Sequence, residues 1–344
     1  MRTRQAEWYE PSVDEVADGV YRIPLPLPTD GLRAVNVYLI TGGDSEPACI
    51  DSGWSVPEAR EVLINGLATL RLGLADIRRF LVTHIHRDHF TQAITIRQET
   101  QTRIALGEGE RPALGLLCGP ADERVGRRWD QLVRNGGSEL AARLRKAWSA
   151  HPEPLFPFEF PDEWLSDGDV VDVPGRRLDV IETPGHTRGH VVFHDTAGRL
   201  LFAGDHVLST ITPSIGLDPA PTPSPNVLGD FLESLARVRK LPDAVLLPAH
   251  GPIRPSAHAR VDELIAHHAL RLDGTLAALR AGDSTAFEVA GRLKWTRHER
   301  GFDELDMFNQ SLAVTETVAH LKLLEAQGRA QRKHENGTDH YGPS

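Results

Sequence analysis

The sequence predicts an α/β chain with a helical insertion and a helical C-terminal segment. Three observations lead there. Short apolar runs of strand-like pattern recur between residues 19 and 247, separated by stretches of helical spacing. Several of these runs stop at a turn that holds histidine or aspartate. Beyond about Pro255 the apolar spacing is helical, up to a short polar end.

In chain order, Gly19 to Ile23 and Ala34 to Ile40 interleave Val, Tyr and Ile between Pro-rich or Gly-Gly breaks, the signature of strands. Ala48-Cys49-Ile50 is a third strand and runs into Asp51-Ser52-Gly53-Trp54. There Asp51 can accept hydrogen bonds that pin a neighbouring loop, or simply make the turn. A helix follows: Ser55 and Glu58 have capping-box spacing, Pro57 falls in the first turn, and Ala59, Val62, Leu63, Leu67 and Leu70 form one apolar face. Gly73 is the expected stop. Arg79 to Val82 reads as a buried strand, Phe90 to Ile96 as a helix start, and Thr83 to Asp88-His89 as the turn between them.

A strand near Arg103 to Leu106 precedes a change of pattern from about 107 to 167. Helical stretches such as Glu139 to Ser149 are followed by a proline-rich, aromatic run from His151 to Trp164, which suits either a pocket wall or a surface excursion. Strands resume at Val170 to Val173 and Arg177 to Ile181, then Val191 to His194, Leu200 to Phe202 and Ala244 to Leu247. A proline-rich loop, Pro219 to Pro225, and a helix from Val227 to Arg239 lie before the last of these. The C-terminal part holds helices at Val261 to Leu279, Ser284 to Leu293 with Ser284 as cap, and Phe308 to Gln327. Glu335-Asn336-Gly337 then suits either a hairpin turn or part of a disordered polar tail after Gln327.

Composition bounds the function. With 344 residues, 40% hydrophobic and 25% charged, the chain can bury a large core. A formal net charge of -10 argues against a protein built mainly to hold nucleic acid. The two cysteines, Cys49 and Cys118, make no disulfide framework or zinc ribbon and read as small buried hydrophobes. The segment Met1 to Trp8 lacks a signal-type apolar core, and no run approaches the ~20 apolar residues of a membrane helix. A cytoplasmic protein acting on a small molecule is the expectation, and oligomeric state leaves no readable mark.

The chemistry concentrates in His84-Ile85-His86-Arg87-Asp88-His89. In extended chain, alternate side chains share a face, so His84 and His86 can reach one metal ion together. Asp88 and His89 come after the bend and can face a second ion. Imidazole nitrogens and carboxylate oxygens are zinc-type ligands, at roughly 2 Å each. Glycine or proline flanks His186, Asp205 and His250, which marks tight turns past strand ends. His194, His206, His267 and His268 gain no role from identity alone.

These motifs, H-x-H-x-D-H at 84–89, Gly185-His186-Thr187, Gly204-Asp205 and Ala249-His250-Gly251, resemble those of the metallo-β-lactamase superfamily, in particular two-metal hydrolases such as glyoxalase II and the metal-dependent lactonases. Asp51 looks like the family's early aspartate. Asp88 beside His89, with an aspartate at 205, is less like the antibiotic-degrading members, and His86 is unlike a flavodiiron site.

The resemblance implies an αββα sandwich over residues 1–255, with the helical insertion at about 107–167. It implies that His84, His86 and His186 hold one divalent ion, that Asp88, His89 and His250 hold another, and that Asp205 bridges them. The ions would be Zn2+, with Fe or Mn accepted by the same ligands. Water between two such ions ionises near neutral pH, and Asp88 could pass a proton to the leaving group. The implied reaction is hydrolysis of an ester-like carbonyl bond, a thioester or lactone. A metal-dependent endoribonuclease and a non-catalytic, metal-binding regulatory protein are the rivals. Residues 256–344 resemble the winged-helix module fused to some members. Its recognition stretch, Thr315 to Glu325, carries one lysine and two glutamates, which suits packing better than phosphate binding.

Overall fold

The computed structural model describes residues 7–27, 31–42, 45–119, 129–150, 156–217, 225–282, 284–296 and 298–344. All but Pro225 of the proline-rich loop 219–225 lies outside the described residues, as does the start of the run 151–164.

Seven strands form the first sheet in chain order: β1 (Asp14–Ala17), β2 (Val20–Pro26), β3 (Ala34–Gly42), β4 (Ser45–Ile50), β5 (Arg79–Val82), β6 (Arg103–Gly107) and β7 (Glu163–Leu165). The first four pair antiparallel and the rest parallel. The second sheet has the order β12-β11-β10-β9-β8, made of β8 (Val170–Val173), β9 (Arg176–Glu182), β10 (Val191–Asp195), β11 (Leu200–Gly204) and β12 (Val245–Pro248). Only β11 and β12 are parallel in it. The alternation of side chains along these strands fills two layers at once. Tyr38 and Ile40 of β3 face the second sheet, where they meet Phe193 and Phe202. Val35, Val37 and Leu39 face the helices α1 (Pro57–Thr69), α2 (Arg87–Glu99) and α3 (Arg111–Cys118). Both sheets are covered on both faces, which is why their strands read as near-continuous apolar runs. The architecture is the αββα sandwich.

On the far side of the second sheet, Val192, Leu201 and Leu246 share one apolar cluster with α4 (Ser138–Ala150), α5 (Val227–Lys240) and the C-terminal helices α6 (Ala257–Arg280), α7 (Ala286–Arg292) and α8 (Met307–Ala326). The stretch 315–325 lies within α8, and Val318, Ala319, His320, Leu321, Leu323 and Leu324 are buried there. The hairpin β13 (Ala330–Glu335) and β14 (Thr338–Pro343) closes the chain. Asn336 and Gly337 both take positive φ, as a two-residue turn of this kind requires. Among the described residues no helix is long and apolar enough to cross a membrane.

Several local expectations are corrected. The N-cap of α1 is Val56, with no side-chain cap, so Ser55 and Glu58 make no capping box. Pro57 still opens the helix, where its missing N–H costs no bond. The helix ends at Leu70 and turns on Arg71 at φ +61°, two residues before Gly73. The cap of α7 is Thr285 rather than Ser284: Thr285 accepts from the Glu288 N–H, and the Glu288 carboxylate accepts from the Thr285 N–H. Ser284 adds two bonds to the same carboxylate, and its hydroxyl also lies 3.3 Å from His340 Nδ1. Thr285→Ala should therefore cost about 1 kcal/mol. Ser284→Ala should cost less than half of that, measured by urea unfolding. Equal losses would mean the cap is misassigned. Cys49 is fully buried as expected, but Cys118 is only half-buried.

Candidate metal centre

Parallel pairing puts strand C-termini side by side, and the site is built on that edge. The β4/β5 pair places Asp51 next to Thr83-His84, and the β11/β12 pair places Asp205 next to His250. The β9–β10 turn delivers His186 from between them. Gly185 takes φ +140° there, and a Cβ on it would come within 2.6 Å of the Phe231 Cα, so only glycine lets this turn lie against α5.

The seven expected ligands converge. The ring nitrogen Nδ1 of His86 lies 3.0 Å from His84 Nε2 and 3.0 Å from His186 Nε2. Asp205 Oδ2 is 3.4 Å from His186 Nε2. These four form one group able to hold a metal ion, and Asp88, His89 and His250 form a second. Asp88 Oδ2 is 3.6 Å from His89 Nε2 and 3.3 Å from His250 Nε2. Asp205 reaches this group with its other oxygen: Oδ1 is 3.6 Å from His89 Nε2 and 3.4 Å from His250 Nε2. Two ligands about 2 Å from one tetrahedral ion stand roughly 3.3 Å apart, which matches these separations.

The donor set fits a cation on independent grounds. His89 Nε2, His250 Nε2 and Asp205 Oδ1 are buried without a hydrogen-bond partner, a costly arrangement unless something positive accepts their lone pairs. Four of the five histidines are also oriented by the other nitrogen. His84 Nδ1 bonds Thr83 Oγ1 at 3.1 Å, and His89 Nδ1 bonds Asp51 Oδ2 at 2.8 Å. His186 Nδ1 donates to the Ser214 carbonyl at 2.8 Å, and His250 Nδ1 donates to the Ala34 carbonyl at 2.7 Å. These outer bonds fix the tautomer that leaves Nε2 free to bind.

The two groups differ in charge. Burial holds His84 well below the usual imidazole range, and it pushes His86 down to about 3 and His186 down to about 4. They are neutral lone-pair donors. At His89 burial also opposes charge, but Asp88, Asp51 and Asp205 outweigh it and raise the ring to about 10. His250 is raised against the same penalty by Asp205 and Asp88. Three carboxylates around two imidazoles thus demand positive charge, which protons meet alone and a divalent ion meets better.

Several further residues hold this site, and of these only Asp51 was singled out from sequence. Asp51, at φ +57°, accepts from the Thr83 N–H at 2.8 Å and from Thr83 Oγ1 at 3.0 Å, besides holding His89. It pins the loop, which was one of its two expected roles. Asn36 interrupts an apolar strand and donates to the carbonyls of Pro248 and Gly251, while Tyr38 Oη donates to Pro248. They tie the His250 turn to the first sheet. A polar residue amid such an apolar run was the available signal. His190 accepts from the Asp205 N–H at 3.1 Å and stacks on His84, but is not a ligand. His268, which gains no role from sequence, is buried between Phe231 and His320.

The sequence model of the metallo-beta-lactamase superfamily matches residues 30–250. The chain belongs to that superfamily. The probable metallo-hydrolase YqjP of Bacillus subtilis is 26% identical over 330 residues, covering 89% of this chain and 91% of that protein. Human acyl-coenzyme A thioesterase MBLAC2 is 28% identical over 206 residues, 58% of this chain and 67% of its own length. A metallo-beta-lactamase family protein from Thermus thermophilus, solved by crystallography, superposes with a TM-score of 0.79 at 30% identity, over 96% of this chain and 100% of that one. The superfamily accounts for a metal-binding hydrolase centre at this edge, and the Bacillus subtilis and Thermus thermophilus relatives align along most of the chain, beyond the share that the superfamily model matches.

Proposed function

We propose that the chain is a two-metal hydrolase of the glyoxalase II and lactonase kind, acting on a thioester first and a lactone second. The observation that carries this reading is the placement of Asp205, whose two carboxylate oxygens face the two ligand groups separately. One carboxylate shared in this way suits a pair of ions, His84, His86 and His186 holding one and Asp88, His89 and His250 the other. Two divalent ions, Zn2+ before Fe or Mn, would supply an acidified water and a Lewis acid for the carbonyl. The similarity to a thioesterase supports thioester over lactone.

The chain's own residues then orient and move protons. The outer bonds from Thr83, Asp51, Ser214 and Ala34 keep the ligand rings in place before substrate arrives, so no reorganisation is needed during reaction. Asp88 is the carboxylate open to the cleft, its side chain 18% exposed against 8% for Asp205. Although burial works the other way, the neighbouring His89 and His250 hold Asp88 ionised. Its proton role rests on that open position, from which it would take up a proton and return it to the leaving group. In this reading the chain divides near residue 255, and a winged-helix-like C-terminal part packs beside the cleft.

Elemental analysis of purified protein, with acyl-CoA thioester, lactone and RNA hydrolysis on the same sample, tests the reading. About two metals per chain with thioester or lactone turnover supports it. RNA cleavage alone would favour the endoribonuclease, and metal without turnover the regulatory protein. Asp88→Asn keeps the shape but loses the proton carrier. We expect it to lower kcat roughly 100-fold. Full activity with normal metal content would remove Asp88 from the proton path.

A further inference from the structure

The irregular segment 206–214, just after Asp205, touches three of the ligand turns. It begins at Asp205 itself, Ser209 Oγ donates to the His250 carbonyl at 3.4 Å, and the Ser214 carbonyl accepts from His186 Nδ1 at 2.8 Å. Residues 206–209 are buried and lie outside helix and sheet, so their carbonyls need donors from elsewhere. Here two guanidinium groups supply them. Arg260, in the first turn of α6, donates from Nε to the Leu208 carbonyl at 2.6 Å and from Nη2 to the Ile211 carbonyl at 2.7 Å. Arg254 donates to the Ser209 carbonyl at 3.1 Å. One carboxylate braces both: Glu263 accepts from Arg254 at 2.6 and 2.7 Å and from Arg260 at 2.8 Å.

This bracket rests on fixed supports. Ser256 caps α6 by accepting from the Ala259 N–H, and its hydroxyl donates to Asp243 at 2.7 Å, just before β12. Arg254 is bridged to Leu246 of β12 through both of its backbone groups. The Arg260 side chain is 11% exposed, so its bonds are made largely out of water. A guanidinium matches two carbonyls at once because its donors are coplanar and divergent, which an ammonium cannot copy.

We infer that Arg260, with Arg254 and Glu263, is a positioning group for the metal centre: by holding the carbonyls of 208–211 it fixes the segment whose Ser214 carbonyl orients His186. The C-terminal helix is thereby part of the site's framework. The inference rests on the proposed two-metal reading, since His186 must bind an ion for its orientation to matter.

The test compares full-length wild type, Arg260→Ala, Arg260→Lys and Arg239→Ala. Arg239 pairs with Asp262 on the same helix and makes no bond to the segment. Each protein is loaded with Co2+, its visible spectrum recorded, and the ion withdrawn by graded chelator to give its dissociation constant. Thermal unfolding is followed in parallel. We expect Arg260→Ala to weaken retention of the ion roughly 10-fold or more and to shift the visible bands, as loss of outer support at other metal sites does. Arg260→Lys should fall between it and wild type, and Arg239→Ala should stay within about twofold. Wild-type affinity and spectrum in a folded Arg260→Ala would overturn the inference, as would an equal loss in Arg239→Ala. Should Arg260→Ala not fold, Arg260→Lys decides, and wild-type binding there overturns it. A wild type that takes up no ion defeats the two-metal reading itself, which distinguishes that failure from this one.

Discussion

Asp205→Ala should empty both halves of the centre and lower hydrolysis about 1,000-fold or more, while leaving the fold intact. The reasoning separates ligand from scaffold. The Asp205 carboxylate faces the ring nitrogens of His186, His89 and His250, and its Oδ1 has no hydrogen-bond partner. The contact that anchors this position to the sheet is made by the backbone: the Asp205 N–H donates to His190, and the substitution keeps it. In the metal-free protein, removing this buried carboxylate relieves its desolvation cost but also takes away one of the groups that raise His89 and His250. The two effects oppose each other, so the metal-free variant should melt within about 5 °C of wild type, while its metal content falls well below two per chain. Metal analysis, hydrolysis and calorimetry on one preparation check all three. Full retention of both ions would remove Asp205 from its shared position. A large drop in melting temperature would recast it as a structural residue.

What the sequence made legible, and what it hid, follows from how far apart the interacting groups lie along the chain. The candidate ligands could be picked out because each sits in a short segment with its own punctuation: alternation brings His84 and His86 together, and a glycine or proline flags each of the turns at His186, Asp205 and His250. The strands were readable because both faces of both sheets are buried, so apolar residues run without interruption. Strand β1, with the sequence DEVA, and strand β7, with three residues, carry too little apolar pattern to stand out. The helix caps slipped by a residue because Ser55 and Ser284 have the right chemistry, and only the backbone angle decides which residue is the cap. The groups that hold the ligands were hidden for a different reason. Asn36 acts across 212 residues on Pro248, and Arg260 acts across 52 on Leu208. No local pattern encodes such pairings. The burial of His268 had no local sign either, because α6 is buried on one face against α5 and α8, a surface that exists only after the C-terminal helices dock.

Asp51 is the position where geometry and chemistry can be pulled apart. Its Oδ1 accepts from the Thr83 N–H and hydroxyl, and its Oδ2 accepts from His89 Nδ1. Alanine leaves those donors buried without a partner, at about 1–3 kcal/mol for each that water cannot reach. It also places a Cβ without a polar tip at φ +57°, a conformation that Asn and Asp tolerate better. A loss of several kcal/mol, and a melting temperature lower by roughly 10 °C, is expected for Asp51→Ala. Asparagine has the same shape and tolerates the same backbone, and its side-chain oxygen can still serve Thr83. Its amide nitrogen, however, then faces His89 Nδ1 and donates to it. His89 must answer by carrying its proton on Nε2, the atom that points at Asp88 and Asp205. A protonated Nε2 has no lone pair for an ion. On the proposed two-metal reading, Asp51→Asn should therefore melt within about 3 °C of wild type, yet lose the ion assigned to Asp88, His89 and His250, leaving about one per chain. Thermal unfolding paired with elemental analysis distinguishes the two variants. If Asp51→Asn kept both ions at wild-type affinity, the tautomer of His89 would not be what Asp51 controls.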